Sequence, residues 1–382
     1  MKTLVVGSGF VGRALARHLT GSGGRAVLGS RTPPLSHDSA DDGTAADWIP
    51  LDITEDGAFA DALEGTGADS VVLVHGPSDA TWCEEHPDAA LHGHSEAARQ
   101  VARSAGERRV VFISTDNVFD GTAVTPPDES APTGPANAYG RAKLAAERIL
   151  ADLPAITLLR VSLVYGWEPA DSPKWLNFFS SCAHRLLVGE QVRVPVDQWT
   201  TPVLLDDVVD VTAALINATP TPPPLLHLGG PDRISRADWA AVIAEGLGAP
   251  PHLVVGEPRA LGRYAGRPAS TCLSSGLLAA QPATAGLAPR PVREGSRLLI
   301  DRHIRGTTPT SGGRQNSTAT ADSRGARNST VALENSDPHL SAAPRTSSDR
   351  HSPTATLASG DPHPPPPPSR ALHTPATPRS SV

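Results

Sequence analysis

The most restrictive feature of this 382-residue sequence is a repeated alternation. Across residues 1–165, short β-branched runs take turns with Ala-rich stretches of helical period. The runs at 3–6, 25–28, 48–51, 70–75, 109–113 and 156–161 read as strands, and those at 11–19, 58–63, 88–105 and 139–150 as helices. Parallel strands need a crossover, which such helices supply, so the pattern predicts an α/β fold built on an open, doubly wound parallel sheet of six strands. From 168 to 295 the order is mixed, with helices near 208–216 and 236–247. That stretch predicts a smaller mixed α/β lobe over the carboxyl edge of the sheet.

The first strand runs straight into Gly7-Ser8-Gly9-Phe10-Val11-Gly12, which opens the first helix. In this setting Gly7 permits the tight turn, Gly9 lets backbone approach a pyrophosphate, and Gly12 allows close packing. The pyrophosphate would rest on the helix N-terminus at Phe10 and Val11. A purely structural strand–helix turn is the competing reading. The second strand ends in Gly29-Ser30-Arg31-Thr32, without the acid that grips a ribose 2′-hydroxyl. Arg31 can pair with a 2′-phosphate and Ser30 can donate to it, which favours NADP(H) while leaving NAD(H) open. A solvated surface arginine is the alternative for Arg31. Asp52 and Ile53 after the third strand are placed to meet the adenine, and His75 and Gly76 after the fourth to line the nicotinamide side.

Tyr139 and Lys143 form a Y-x-x-x-K pair in a chain with three Tyr and three Lys. Four residues apart on a helix they share a face, where the ammonium can lower the phenol pKa and hold ribose hydroxyls. Thr115, or its neighbour Ser114, ends the fifth strand where a hydroxyl can bond a substrate carbonyl. Together these residues describe a hydride-transfer site in which Thr115 polarises, Tyr139 donates the proton, and Lys143 tunes and anchors.

In these residues the chain resembles the extended short-chain dehydrogenase/reductases, and among them the dTDP-4-dehydrorhamnose reductase family, over about residues 1–300. The resemblance also rests on Ser114-Thr115-Asp116-Asn117-Val118-Phe119-Asp120-Gly121, on Leu159-Arg160-Val161-Ser162-Leu163-Val164-Tyr165-Gly166, and on His227-Leu228-Gly229-Gly230-Pro231. It implies a Rossmann core over 1–167 and a substrate-binding lobe over 168–304 with some return to the core. It further implies reduction of the 4-keto group of a nucleotide-linked deoxysugar by NAD(P)H. The sequence departs from the family at Asn117, where an aromatic is usual, and at His92-Gly93-His94, where an Asn is usual. His94 is either a replacement hydrogen-bonding group or a surface histidine. Two other readings keep the fold: a non-catalytic dinucleotide-binding regulatory subunit, like that of methionine adenosyltransferase, and a nucleotide-sugar epimerase.

Composition removes other classes. The net charge of −7 conceals an uneven split: residues 305–382 hold eight Arg, no Lys and five acids, which is +3, so residues 1–304 carry −10. An acidic core argues against nucleic-acid binding. No apolar run is long enough to span a bilayer, and Cys83, Cys182 and Cys272 are unpaired in spacing, so a cytoplasmic location is expected. The histidines His75, His86, His92 and His94 lack metal-ligand spacing, and no metal is expected. Residues 305–382 contain no aromatic, Ile, Met or Cys and accumulate Ser, Thr, Pro and Arg. They are expected to be a disordered tail. Its proline run, opening at Pro364 and closing at Pro368, suits an SH3-like groove, and a second copy of the chain, as a homodimer, is the other protein partner considered. Truncation after residue 304 should leave Tm within about 2 °C of the full chain, measured by calorimetry.

Overall fold

The structure, a computed structural model, describes residues 1–33, 46–172, 175–261, 264 and 267–305. The expected tail from 306 onward, with its proline run, lies outside the described residues. In chain order the elements are β1 (Lys2–Val6), α1 (Phe10–Gly21), β2 (Arg25–Ser30), β3 (Asp47–Pro50), α2 (Ala58–Thr66), β4 (Ser70–Leu73), α3 (Ala80–Glu85), α4 (Pro87–Ser104), β5 (Arg109–Thr115), α5 (Ala138–Leu150) and β6 (Ile156–Val161). There follow β7 (Val164–Tyr165), α6 (Phe178–Leu187), β8 (Val192–Pro195), β9 (Trp199–Thr200), β10 (Val203–Leu204), α7 (Leu205–Asn217), β11 (Leu225–Leu228), β12 (Ile234–Ser235), α8 (Arg236–Leu247), β13 (Val254–Glu257), β14 (Ser270–Thr271), α9 (Gly276–Ala279) and α10 (Val292–Ile300).

Seven strands form the main sheet in the order β11-β6-β5-β4-β1-β2-β3, and every pairing in it is parallel. Six were expected. The seventh, β11, is a four-residue edge strand behind Pro222-Pro223-Pro224, too short to show a period and masked by the prolines. The sheet is buried on both faces, and the two-residue period sorts its side chains. Leu4, Val6, Val71, Leu73, Val110 and Phe112 face one apolar cluster. Val5, Val72, Val111, Ile113 and Leu159 face another, shared with α1 and α7.

A third apolar cluster gathers Tyr165, Phe178, Phe179, Leu204, Trp239, Ile243 and Leu299 from the elements that follow β6. All described residues fall within one unit, Met1–Gly312. The strand order reverses between β1 and β4, which makes their carboxyl ends the topological switch point of the sheet. Everything the sequence marked as chemical lies near that edge.

Candidate active site

The turn after β1 is shaped by close approach. Gly7 has φ +115°, and a Cβ there would stand 3.1 Å from the Val74 carbonyl carbon and 3.2 Å from the His75 nitrogen, so the turns after β1 and β4 lie against each other. A Cβ on Gly12 would run into the Gly7 carbonyl oxygen, whereas one on Gly9 would meet nothing within 4 Å. Gly9 is the N-cap of α1 and supplies no side-chain cap. The positive end of α1 therefore begins at a residue with open space on its Cβ side and no side-chain cap on its amides, a terminus suited to a pyrophosphate.

Along the adjacent edge, Arg31 is exposed just past β2. The Ser30 hydroxyl donates to the Thr32 carbonyl at 2.7 Å and accepts from Trp48 Nε1 at 3.0 Å, so its hydrogen is already engaged. Asp52 accepts from the Thr54 hydroxyl at 2.6 Å and the Thr54 amide at 3.0 Å. Mainly the hydroxyl bond, with Arg31 a smaller attraction, holds its carboxyl below the usual range. Ile53 belongs to the apolar core, at 1% exposure, so only its backbone is available to a ligand.

His75 is half-buried, and burial first, then the Lys143 charge, pushes its pKa down to about 4. Gly76 has φ +113°, and a side chain there would collide with the imidazole of His94. Of the two readings for His94, the structure places it inside, at 2% exposure. Its Nε2 lies 3.0 Å from the Pro77 carbonyl and its ring 6.1 Å from the Tyr139 ring. Burial pushes its pKa down to about 3, so the ring is neutral and Nε2–H is the donor.

Helix α5 carries Tyr139 and Lys143. Its N-cap, Asn137, accepts from the Gly140 amide at 2.8 Å and donates through Nδ2 to Asn117 Oδ1 at 2.8 Å. Asn117 in turn donates through Nδ2 to Asp116 Oδ1 at 2.8 Å, and its amide donates to Thr115 Oγ1 at 3.2 Å. A Cβ on Gly140 would strike the Asn117 carbonyl oxygen, so the helix start presses on this turn. The asparagine found where an aromatic was expected therefore ties the end of β5 to the start of α5.

Asp116 is 5% exposed. It accepts from Thr115 Oγ1 at 3.0 Å and lies 3.1 Å from Ser162 Oγ. Burial pushes its carboxyl up to about 6 against those hydrogen bonds. Tyr139 is half-buried, and its phenol is raised above the ordinary value, by burial first and then by the Asp116 charge, with a Thr115 hydrogen bond opposing. The expected lowering of the phenol by the Lys143 ammonium does not set its value. Lys143 Nζ donates to the Ile113 carbonyl at 2.9 Å and lies 4.6 Å from the Phe112 ring centroid. Burial pushes its pKa down to about 7, against the attraction of Glu147. Ser114 donates to Glu147 Oε1 at 2.5 Å, and Arg160 Nη2 donates to Glu147 Oε2 at 2.7 Å. Ser114 is thus turned to Glu147, while Thr115, whose hydroxyl donates to Asp116, is the hydroxyl beside the phenol.

Sequence reading did not single out Asn137, Ser162, Glu147 or Arg160. Glu147 stands four residues beyond Lys143 on the same helix face, the one local signal that pointed to it. Among the described residues no group of three His, Cys, Asp or Glu is placed to hold a metal.

The family follows from the comparison of sequences. Residues 1–304 match the family described as RmlD substrate binding domain. The chain belongs to that family. Among its relatives, a probable low-salt glycan biosynthesis reductase of Haloferax volcanii is 30% identical over 227 residues, covering 58% of this chain and 75% of the relative. A dTDP-4-dehydrorhamnose reductase of Mycolicibacterium smegmatis is 30% identical over 267 residues, covering 67% and 77%. The crystal structure of dTDP-4-dehydrorhamnose reductase from Bacillus anthracis in complex with NADP superposes with a TM-score of 0.64 at 20% identity, covering 79% of this chain and 99% of that one. At that identity the likeness shows a shared fold.

In this RmlD-family chain the glycines separate stability from binding. Gly12→Ala should lower stability by about 2 kcal/mol or more through the collision with Gly7, whereas Gly9→Ala should leave the urea midpoint nearly unchanged and weaken dinucleotide binding, measured by fluorescence titration.

Proposed function

We propose that the chain is an NAD(P)H-dependent reductase acting on the 4-keto group of a nucleotide-linked deoxysugar. The observation that carries this reading is the convergence of Thr115, Tyr139 and Lys143 at the carboxyl edge of the sheet that also carries the Gly7-to-Gly12 turn. A bound nicotinamide dinucleotide supplies the hydride. The residues present suit such a group: Gly9 leaves room at α1, and Lys143, Thr115 and Tyr139 stand together at the end of β5 and the start of α5.

Thr115 Oγ1 and the Tyr139 hydroxyl approach the substrate carbonyl oxygen together and draw electron density toward it. As a hydride reaches the carbonyl carbon, Tyr139 gives its proton to the oxygen, and the ketone becomes a secondary alcohol. A phenol raised above its ordinary value stays protonated at neutral pH, which is the form a reduction needs. Lys143 is placed to hold ribose hydroxyls through its ammonium. A pure binding subunit would have no use for all three side chains, which favours the enzyme over the regulatory reading.

Arg31 supports a preference for NADP(H). It is an exposed cation just past β2, and the strand end itself, Gly29-Ser30-Arg31-Thr32, carries no acid to receive a free 2′-hydroxyl.

Tyr139→Phe should slow turnover by roughly 10² to 10⁴ while leaving NADPH affinity nearly unchanged. Full turnover in that variant would place the acid elsewhere. Because the Lys143 ammonium is lost as pH rises through about 7 in the free protein, NADPH affinity should weaken from that pH upward. Lys143→Ala should bind more weakly and show no such dependence, read by titration across pH 6 to 9. Arg31→Asp should weaken NADPH binding by about 2 kcal/mol or more and leave NADH nearly unaffected. An unchanged NADPH:NADH ratio would remove the proposed preference.

A further inference from the structure

Arg236 is the first residue of α8 and is 5% exposed. Its amide donates to the Gln198 carbonyl at 3.0 Å, and the preceding Ser235 pairs with Trp199 in the small sheet β12-β9-β14, so its position is fixed by backbone. The guanidinium carbon lies 4.7 Å from the centroid of the Phe178 ring. Nε is buried without a hydrogen-bond partner. The other buried cations of the site are partnered: Arg160 by Glu147 and Lys143 by the Ile113 carbonyl. Burying a guanidinium unpaired is strongly unfavourable, and a core residue without a use for the charge would be better replaced by an apolar one.

The surroundings indicate the missing counter-charge. Burial lowers the Arg236 pKa only to about 10, so the group is a cation at neutral pH. After burial it feels first the Tyr264 phenol, then the like charge of Arg267, and then the Asp116 carboxylate, which is hydrogen-bonded to Thr115 at the reacting centre. Arg267 lies over the Tyr264 ring and reaches Thr81 Oγ1 at 3.2 Å, and Arg233 lies 4.2 Å from the Trp199 ring centroid on the strand beside Arg236. Arg236 thus stands within electrostatic reach of the Asp116 carboxylate and of a second arginine, Arg267, on elements distinct from the α1 terminus. A sugar whose C4 lies at Tyr139 carries its anionic group at C1, one ring-width away.

We infer that Arg236 keeps its Nε without a partner so that its guanidinium fork binds the diphosphate of the nucleotide-linked substrate. This rests on the nucleotide-sugar reading above. A planar fork with parallel N–H groups matches phosphate oxygens, and the stacked Phe178 ring holds its plane.

The test uses the full chain saturated with NADP⁺, titrated calorimetrically with dTDP and separately with thymidine. Arg236→Met should weaken dTDP binding roughly 10- to 100-fold. It should leave thymidine and NADP⁺ binding unchanged and raise Tm, because a buried charge is removed. Arg236→Lys should keep part of the affinity as a point charge. Unchanged dTDP affinity in a folded Arg236→Met, or an equal loss for thymidine, would overturn the assignment alone. Unfolding of Arg236→Met and Arg236→Gln alike would also overturn it, since the guanidinium would then support the core. A parent protein that binds NADP⁺ and no dTDP would remove the nucleotide-sugar reading and the ligand assigned to Arg236 together.

Discussion

Helix α5 is fixed to the sheet by polar bonds in a place where most helices rely on apolar packing, and the rest of the site depends on that attachment. Glu147 joins Ser114 of β5 to Arg160 of β6, Lys143 joins the Ile113 carbonyl, and Asn137 joins Asn117. Each bond crosses from the helix to the sheet or the turn that follows it. A slip of the helix by one residue would break all of them at once, leaving several buried polar groups unsatisfied. The register of Tyr139 against Thr115 is therefore over-determined, as a reaction sensitive to sub-ångström placement requires.

Burial sets the charge state of the site as much as pairing does. It keeps His75 and His94 neutral, raises Asp116 and the Tyr139 phenol, and brings Lys143 close to neutrality. Shifts of this size clustered at one sheet edge are characteristic of functional sites. The direction for Tyr139 favours retention of its proton, and that for Lys143 makes its charge responsive to a bound partner.

The fold was largely legible in the sequence because its signals are local. The six β-branched runs, the Gly7-to-Gly12 turn and the four-residue spacing of Tyr139 and Lys143 each occupy a short window that a period or a helix turn explains. What escaped reading joins distant positions. Asn137 meets Asn117 across 20 residues and Arg160 meets Glu147 across 13, and neither spacing carries a local pattern. Arg236 was invisible for another reason: an arginine at a helix start looks solvated until its burial is known. Ile53 and Ser30 show the converse, since a strand-end position aims both at a ligand while packing holds Ile53 in the core and a loop bond engages the Ser30 hydroxyl.

Strands β6 and β11 are paired neighbours in the sheet, yet β7 to β10, α6 and α7 all lie between them in the chain. Their register, Leu225 on Leu158 through Leu228 on Val161, is set by the strands themselves. The intervening stretch is thus an excursion that leaves the sheet and returns to its edge, and closing a long excursion depends only weakly on its length. Ser162 at its start is bonded to Asp116 and α7 at its end packs on the sheet, so such a plan lets the stretch between them change in length over evolutionary time while the sheet edge stays in register, and the substrates accepted can diversify on a fixed chemical engine.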